Sequence, residues 1–196
     1  MIRYLVNDDG HFWKARVLDD IVVIEHGKIG DEPETDVVDT WDEFQQPPEY
    51  SLDDLAAPMF EKGFRFAPIP GVAELIEEAH GAQLPPQVRA FFADGTYWNY
   101  QDYRCADLGC EVDFLTDAVL GSYHQEHYDS ERETERTFVP ISGRMYDGIP
   151  DEQQWIGVDP EEAENPKVYA LYTSGEFEVA YDSFEGFLDD LSATAD

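Results

Sequence analysis

A proline-containing junction divides this chain and limits how far any single element can extend. The segment RFAPIPGV, residues 65–72, places Pro68 and Pro70 on either side of an isoleucine. Each proline lacks a backbone donor and restricts the residue before it, so the segment is typical of a linker or a domain junction. We predict two domains, 1–67 and 68–196. With 42% hydrophobic residues, the 196-residue chain has ample material for packed cores.

The first domain begins with segments typical of β-strands. IRYLV, HFWKARVL and IVVIEHGK are rich in aromatic and β-branched residues and are separated by the turn sequences NDDG and DD. This pattern predicts a small antiparallel meander. The later segment SLDDLAAPMFEKG predicts a helix, because its apolar residues recur at helical spacing after Ser51, a suitable N-cap. Pro58 predicts a break or kink inside that helix.

The second domain starts with helices and continues with strands. PGVAELIEEAHG and LPPQVRAFFADG predict two helices that end near Gly81 and Gly95. RTFVPIS, QWIGVD and KVYALYT predict strands, and SGE turns the chain into FEVAY to form a hairpin. A last helix is predicted with Asp182 at its N-cap and Glu185 at N3. It would present one apolar face, made of Phe184, Phe187, Leu188 and Leu191.

Several of these segments occur in the order found in a known family. LPPQVRAFF, FVPIS, IGVD, NPKVYAL and VAYDSFEGFLDDL resemble the SUKH superfamily, which contains the yeast cell-wall-synthesis regulator Smi/Knr and many bacterial immunity proteins. The resemblance covers roughly residues 70–192. It implies an α+β fold without catalytic chemistry, in which a mixed sheet flanked by helices presents a face to a partner protein. Many bacterial relatives neutralise secreted toxins, nucleases prominent among them.

A second resemblance covers residues 1 to about 66. FWKARV, HGKIGDE and MFEKGFRF fall in the order of a WGR domain, a module of some poly(ADP-ribose) polymerases in which a Trp-Gly-Arg loop helps to bind DNA. His26 stands at the family's tryptophan position and Lys28 at its arginine position, so the stacking indole and the planar guanidinium are both missing. We expect a WGR-like fold whose use in DNA binding has lapsed. The fold class expected for the whole chain is α+β, a small antiparallel WGR-like sheet with a helix followed by a SUKH-type domain.

The charge of the chain is strongly one-sided. Asp and Glu number 44 and Lys and Arg 12, which gives a formal net charge of -32. A negative field opposes the phosphate contacts that nucleic-acid binding requires, so we expect no nucleic-acid partner. The same field attracts a basic protein and speeds its encounter. The alternative is that the acidity serves solubility or adaptation to high salt.

The sequence also bears on location. The N-terminal stretch MIRYLVNDDGHFW lacks a long apolar run behind a basic start, and no window approaches 18 consecutive apolar residues. We therefore expect a cytoplasmic protein that does not bind membranes. In a reducing cytoplasm its two cysteines would be thiols or metal ligands.

The cysteines lie in a pattern close to that of a Cys2His2 zinc finger. Cys105 and Cys110 precede His124 and His127, and zinc would need the two histidines on one helical face. The alternative is that the cysteines are small buried side chains and the histidines are solvated. The His-x2-His spacing is shorter than usual, so no cofactor is favoured and zinc is kept as the alternative.

Two segments are candidates for contact with a partner. GTYWNYQDYR interleaves large aromatic side chains with polar ones, namely Tyr97, Trp98, Tyr100, Asp102 and Tyr103. Its alternative is a strand with one buried face. YDGIPDEQQW is predicted to be a loop that carries Asp147, Asp151 and Glu152, and its alternative is an ordinary solvated loop.

No catalytic motif is present. The serines lie in no Gly-x-Ser-x-Gly turn, and the chain lacks the Gly-x4-Gly-Lys loop that cradles phosphate. We therefore expect a non-enzymatic protein-binding module, an immunity protein that blocks a secreted, basic toxin, with nucleases as one class of target. The alternative is a regulatory or scaffold protein whose two domains hold different cellular partners.

Overall fold

The structure is a computed structural model, and it describes residues 2–18, 21–39, 52–100, 103–115, 117–120, 127–129, 134–146, 149–162 and 165–193. The chain forms two compact units, Met1–Ile69 and Pro70–Asp196, called unit 1 and unit 2 below. Both contain helices and antiparallel sheets, so the α+β class is confirmed.

Unit 1 is a meander with one helix. Its elements are β1 (Ile2–Val6), β2 (His11–Leu18), β3 (Ile21–Lys28), β4 (Glu34–Asp39), α1 (Leu52–Glu61) and β5 (Arg65–Phe66). The sheet has the order β4-β3-β2-β1-β5, and each pairing is antiparallel. The predicted meander and the helix after it are therefore confirmed.

Helix α1 supplies one side of the unit 1 core. Its Leu52 and Ala56 are buried together with residues of the sheet, namely Leu5, Trp13, Ala15 and Val22. The predicted break at Pro58 is wrong, because α1 continues through this residue to Glu61. Ser51, the predicted cap, lies outside the described residues.

Unit 2 begins with two helices and a 3-10 turn before its sheet. Its helices are α2 (Val72–His80), α3 (Pro86–Ala93), α4 (Asp117–Leu120) and α5 (Phe184–Asp190), and the 3-10 helix spans Thr96–Tyr100. Its strands are β6 (Tyr103–Cys105), β7 (Cys110–Asp113), β8 (His127–Asp129), β9 (Thr134–Arg136), β10 (Val139–Tyr146), β11 (Ile149–Val158), β12 (Val168–Tyr172), β13 (Phe177–Tyr181) and β14 (Leu191–Ala193).

The main sheet of unit 2 has seven strands in the order β13-β12-β11-β10-β7-β6-β14. Every described pairing is antiparallel, so the mixed sheet implied by the SUKH resemblance is wrong for this part of the chain. The strands from β10 to β13 follow one another through short connections, and such connections allow only antiparallel neighbours. The chain then crosses by way of α5 to pair β14 with β6 at the other edge.

Aromatic side chains fill the core beneath the helices of unit 2. The Phe91 ring of α3 lies within 5.7 Å, centroid to centroid, of four other rings, those of Phe92, Tyr100, Phe114 and Phe184. Phe184 and Phe187 of α5 have no exposed surface, as the predicted apolar face requires. The cap of α5 is Ser183, whose hydroxyl accepts from the Gly186 N–H at 3.0 Å, so the prediction of Asp182 was wrong by one residue.

Two local predictions in unit 2 need correction. The segment around Tyr97 is not a strand, because Thr96–Tyr100 forms a 3-10 helix and β6 begins at Tyr103. The segment YDGIPDEQQW is not a long loop either, because β10 and β11 extend into it as a hairpin. Among the described residues, no helix combines the length and the apolar character needed to cross a membrane.

Candidate functional site

Acidic residues greatly outnumber basic ones in unit 2. Pro70–Asp196 holds six Lys and Arg against 28 Asp and Glu. The placement of the arginines makes this imbalance stronger at the surface than the sequence count indicates, because two of them are nearly buried and a third is bound between carboxylates.

Arg136 is the most enclosed of the paired cations. Its side chain is 10% exposed, and its guanidinium binds Asp159 and, at 3.3 Å, Glu162. The same guanidinium lies 4.9 to 5.4 Å from three ring centroids, those of Phe138, Tyr169 and Phe177. Burial by itself would lower the pKa of Arg136, but its hydrogen bonds and charge contacts with Asp159 and Tyr169 raise it. This arginine stabilises the interior and contributes little positive charge to the surface.

Two further arginines add little unpaired positive charge to the surface, Arg144 through burial and Arg89 through ion pairs. Arg144 on β10 is 6% exposed and its Nη1 donates to Gln154 Oε1. Arg89 on α3 binds Glu74 and Glu77 of α2. A negative field over the surface of unit 2 is the consequence.

An exposed acidic segment runs from β13 into α5. The term β13–α5 surface is used for its exposed residues, which are Glu176, Glu178, Val179, Asp182, Glu185 and Asp189. Within the described sheet β13 pairs with β12 alone, so it is an edge strand. Val179 is 47% exposed, so this edge strand presents an apolar side chain in the same segment as the exposed carboxylates. Edge strands with an exposed apolar residue are sites where another protein can bind.

The predicted aromatic contacts are only partly accessible. Tyr97 has no exposed surface, so it cannot serve as a contact residue, and that prediction was wrong. Trp98, Tyr100 and Tyr103 are half-buried, and the rings of Tyr100 and Tyr103 meet edge to face at 5.1 Å. The 3-10 helix and β6 bring Tyr100 and Tyr103 together, whereas the Trp98 ring meets the buried Tyr97. Asp102 lies outside the described residues.

The acidic candidates on the β10–β11 hairpin are located by the backbone. Asp151 and Glu152 belong to β11, and the structure describes their strand but not their side chains. Asp147 lies outside the described residues.

The positions that correspond to the WGR loop lie in unit 1. His26 on β3 contacts Asp36 Oδ2 of β4 through Nε2 at 3.1 Å, and Lys28 is exposed at the end of β3. A carboxylate beside His26 opposes a phosphate at this position.

The two cysteines form a buried cluster with groups that are distant in sequence. Cys105 and Cys110 are free thiols on β6 and β7, directly opposite one another. Cys105 Sγ lies 2.6 Å from the Tyr181 hydroxyl, and this hydroxyl donates to Asp190 Oδ2 at 2.6 Å. Asp190 also accepts the Asp107 N–H at 3.0 Å. Tyr181 gives its one proton to Asp190, and the one proton of Cys105 lies among three acceptors, the Tyr181 oxygen, Asp190 Oδ2 and the Cys110 sulfur.

Burial and hydrogen bonds shift the pKa values of these four groups in different directions. Burial would raise the pKa of Asp190, but the hydrogen bonds from Tyr181, Asp107 and Cys105 lower it. Burial, together with Asp190 and Cys105, raises the pKa of Tyr181, so the phenol stays protonated. A hydrogen bond with Cys110 and burial raise the pKa of Cys105. The Cys105 thiol and then Arg144 lower the pKa of Cys110 to about 7.

The zinc-finger pattern is not assembled by the described residues. Cys105 and Cys110 are adjacent, but His127 lies on β8 and not on a helix, so the helical face that zinc would need is absent there. His124 and the His127 side chain lie outside the described residues. Among the side chains that are described, no three His, Cys, Asp or Glu residues gather as a metal site.

Sequence reasoning did not identify the two most informative features of unit 2. The edge position of Val179 depends on the order of strands, and the contacts of Cys105 with Tyr181 and Asp190 span 76 and 85 residues. The segment FEVAY did indicate a strand, but nothing in it indicated an edge. Comparison of the chain with protein-family models, with curated proteins and with solved structures finds no match.

Proposed function

We propose that this protein is a non-enzymatic immunity protein that neutralises a secreted, basic toxin by binding to it through unit 2. The observation that carries the proposal is the separation of charge in this unit. Arg136 and Arg144 are enclosed and Arg89 is bound between carboxylates, whereas the residues of the β13–α5 surface are all acidic apart from Val179. An apolar centre within a charged rim is the usual arrangement of a protein interface.

The negative charge of unit 2 determines which class of partner it favours. A negative surface favours a protein that presents Lys and Arg, and it disfavours nucleic acid because phosphate would be repelled. The SUKH resemblance of residues 70–192 supports the same reading, since many members of that superfamily neutralise toxins. The side chains of Trp98, Tyr100 and Tyr103 remain candidates for a second contact region on unit 2.

The first experiment uses the gene that neighbours this one, because an immunity gene lies beside the gene of its toxin. The neighbouring product is expressed in bacterial cells alone and together with this protein. We expect growth arrest by the neighbouring product and recovery when both are present. A neighbouring product that is harmless, or whose toxicity this protein does not relieve, contradicts the proposal.

The second experiment asks whether the β13–α5 surface makes the contact. Val179→Asp and Glu178→Lys should both abolish recovery, because the first places a charge at the apolar centre and the second reverses the rim charge. Val37→Asp is the matched control, since Val37 is a 62% exposed valine on β4 in unit 1. Loss of recovery in the control, or recovery in both unit 2 variants, contradicts this choice of surface.

A further inference from the structure

The cysteine pair has the backbone geometry of a disulfide before any bond forms. Cys105 and Cys110 are register partners in an antiparallel pair, and Arg104 and Glu111 are the next partners along the same two strands. Side chains of directly opposite residues point to the same face, and their Cα atoms lie about 4.5 to 5.5 Å apart. That separation lies within the range of native disulfides, about 4.4 to 6.8 Å. The sulfurs can therefore join without movement of the sheet.

The buried side chain of Arg144 is a separate observation that favours a thiolate in the cysteine pair. Only 6% of the residue is exposed, and its guanidinium donates to three neutral groups, Gln154 Oε1, the Leu108 carbonyl and the Tyr146 hydroxyl. Its Nε has no partner. Among the described residues no carboxylate interacts with this guanidinium, and the ionisable groups that do are Cys110 first and then Tyr146 and Tyr172. A buried cation needs a counter-charge, and a Cys110 thiolate supplies one.

The two sulfurs differ in their surroundings in a way that assigns them different roles. Cys110 interacts with Arg144, whose positive charge favours the thiolate. Cys105 is buried and lies 3.5 Å from Asp190 Oδ2, and both burial and the neighbouring carboxylate favour the protonated thiol. One cysteine is thus set up as a nucleophile and the other keeps a proton that it can release.

We infer that Cys105 and Cys110 form a reversible dithiol–disulfide site that takes a hydroperoxide as its oxidant, with Cys110 as the attacking sulfur and Cys105 as the resolving one. The Cys110 thiolate attacks the terminal oxygen of the hydroperoxide, so an S–O bond forms, the O–O bond breaks and the alkoxide or hydroxide leaves with a proton from solvent. Cys105 then attacks the sulfenic sulfur, and its proton leaves with the hydroxide as water. Two electrons pass from the sulfur pair to the peroxide, and an external dithiol reverses the change.

The position of the pair restricts which oxidants can react. Both sulfurs are buried, but they flank a turn whose Ala106 and Asp107 are exposed, and the pair lies one strand from the sheet edge formed by β14. A small peroxide can enter through local opening of this hairpin, whereas a large disulfide cannot. Cys105 contacts Tyr181 of β13 and Asp190 of α5, the two elements that carry the β13–α5 surface, but the chemistry of the cysteine pair does not depend on the proposed toxin.

The test treats the intact reduced protein with hydrogen peroxide near neutral pH and follows mass and free thiols. We expect a monomer lighter by two hydrogens, loss of both free thiols, a Cys105–Cys110 crosslink in the peptide map and full reversal by dithiothreitol. In Cys105→Ser the reaction should stop at a Cys110 sulfenic acid that dimedone traps. In Cys110→Ser the remaining thiol should react at least about tenfold more slowly. Thiols that stay unreacted in the folded protein, crosslinks between chains, or equal rates in the two single variants would overturn the inference.

Arg144 is tested as a positioning residue through the pH dependence of the reaction. Alkylation of Cys110 by iodoacetamide should have its midpoint near neutrality in the wild-type protein and in Arg144→Lys, and it should move towards higher pH in Arg144→Met. Circular dichroism checks the folding of each variant. If Arg144→Met does not fold, the ultraviolet absorbance of the thiolate in the wild-type protein decides the matter. A wild-type protein without thiolate absorbance near neutral pH contradicts the assigned role.

Discussion

Arg136 donates to the carboxylate of Asp159 from both Nε, at 3.1 Å, and Nη2, while its guanidinium lies 4.9 Å from the Phe138 ring centroid. The planar guanidinium of an arginine is suited to this double role, because two of its N–H groups donate to one oxygen, Asp159 Oδ2, while its flat face lies against the rings. The Asp159 carboxylate also accepts the Glu161 N–H at 2.8 Å. This arrangement connects β9 to the turn that follows β11.

The first prediction concerns this pair. Arg136→Met should lower the free energy of unfolding by about 3 to 5 kcal/mol, because Asp159 and Glu162 would be left without their cation in a largely enclosed site. Arg136→Lys keeps the charge but loses the fork and should cost about 1 to 3 kcal/mol. Urea unfolding measures both, with exposed Lys167→Met as a control expected to lie within about 0.5 kcal/mol of the wild-type protein. An Arg136→Met variant as stable as the wild-type protein would contradict this account.

The second prediction concerns Gly157, the glycine of the IGVD segment. A Cβ built on Gly157 of β11 would lie 2.5 Å from Leu171 Cδ1 and 3.1 Å from the Val139 carbonyl oxygen. Gly157→Ala should therefore destabilise the protein by about 1 to 3 kcal/mol, since a buried leucine on β12 must move.

A paired variant tests the cause of that effect. Leu171→Ala creates a cavity by itself, but together with Gly157→Ala it makes room for the added methyl group. The double variant should therefore lose less stability than the sum of the losses in the two single variants. Strict additivity in urea unfolding would argue against the contact.

Local sequence patterns predict most of the helices and strands but not the long-range contacts that their side chains make. The segments that became α2, α3, β12 and β13 were identified because helical and alternating periodicity are local properties. The cap of α5 was misplaced by one residue because Asp182 and Ser183 are both good N-caps, and backbone geometry decides between them.

The candidate site depended on long-range pairing that the sequence does not encode locally. The aromatic alternation around Tyr97 suggested a strand or a contact surface, but the packing of Tyr97 against Phe92 placed its ring in the core. The burial of Arg136 and Arg144, which makes the surface more acidic than the composition, follows from aromatic and sheet contacts that form only in the folded chain.

The third prediction is a pH dependence of stability that arises from the cysteine pair. The Cys105 thiol and Arg144 lower the pKa of Cys110 from 9.0 to about 7. Between these values the unfolded chain binds more protons at this position than the native one, so the free energy of unfolding should rise with pH. The contribution of Cys110 is complete above pH 9 and is lost as the pH falls through about 7. Cys105 has the opposite sign, because its raised pKa lowers stability once the pH exceeds its ordinary value of 9.0.

The measurement is the difference in unfolding free energy between the reduced wild-type protein and Cys110→Ser, taken from about pH 6 to pH 9. Other titrating groups, including Asp190 and Tyr181 in the same cluster, remain in both proteins and largely cancel. The difference should grow in favour of the wild-type protein as the pH rises. A difference that is constant with pH would mean that Cys110 titrates as an ordinary thiol.

The last prediction separates the role of charge from the role of contact in partner binding. The association rate with the cognate basic toxin should fall steeply as salt is added, because steering acts over distances that are screened within about 8 Å at physiological ionic strength. Glu178→Lys should mainly slow association, and we expect the same of changes at Asp151 and Glu152 on β11 if these residues lie at the rim. Val179→Asp and Tyr100→Ala should mainly raise the dissociation rate. If the residue is a central contact, the loss of binding free energy in each case should be about 2 kcal/mol.

Stopped-flow kinetics at low and high salt distinguish these effects, with circular dichroism as the check on folding. An association rate that does not change with salt would mean that the acidity serves solubility or salt adaptation, and binding would then have to rest on the apolar contacts alone.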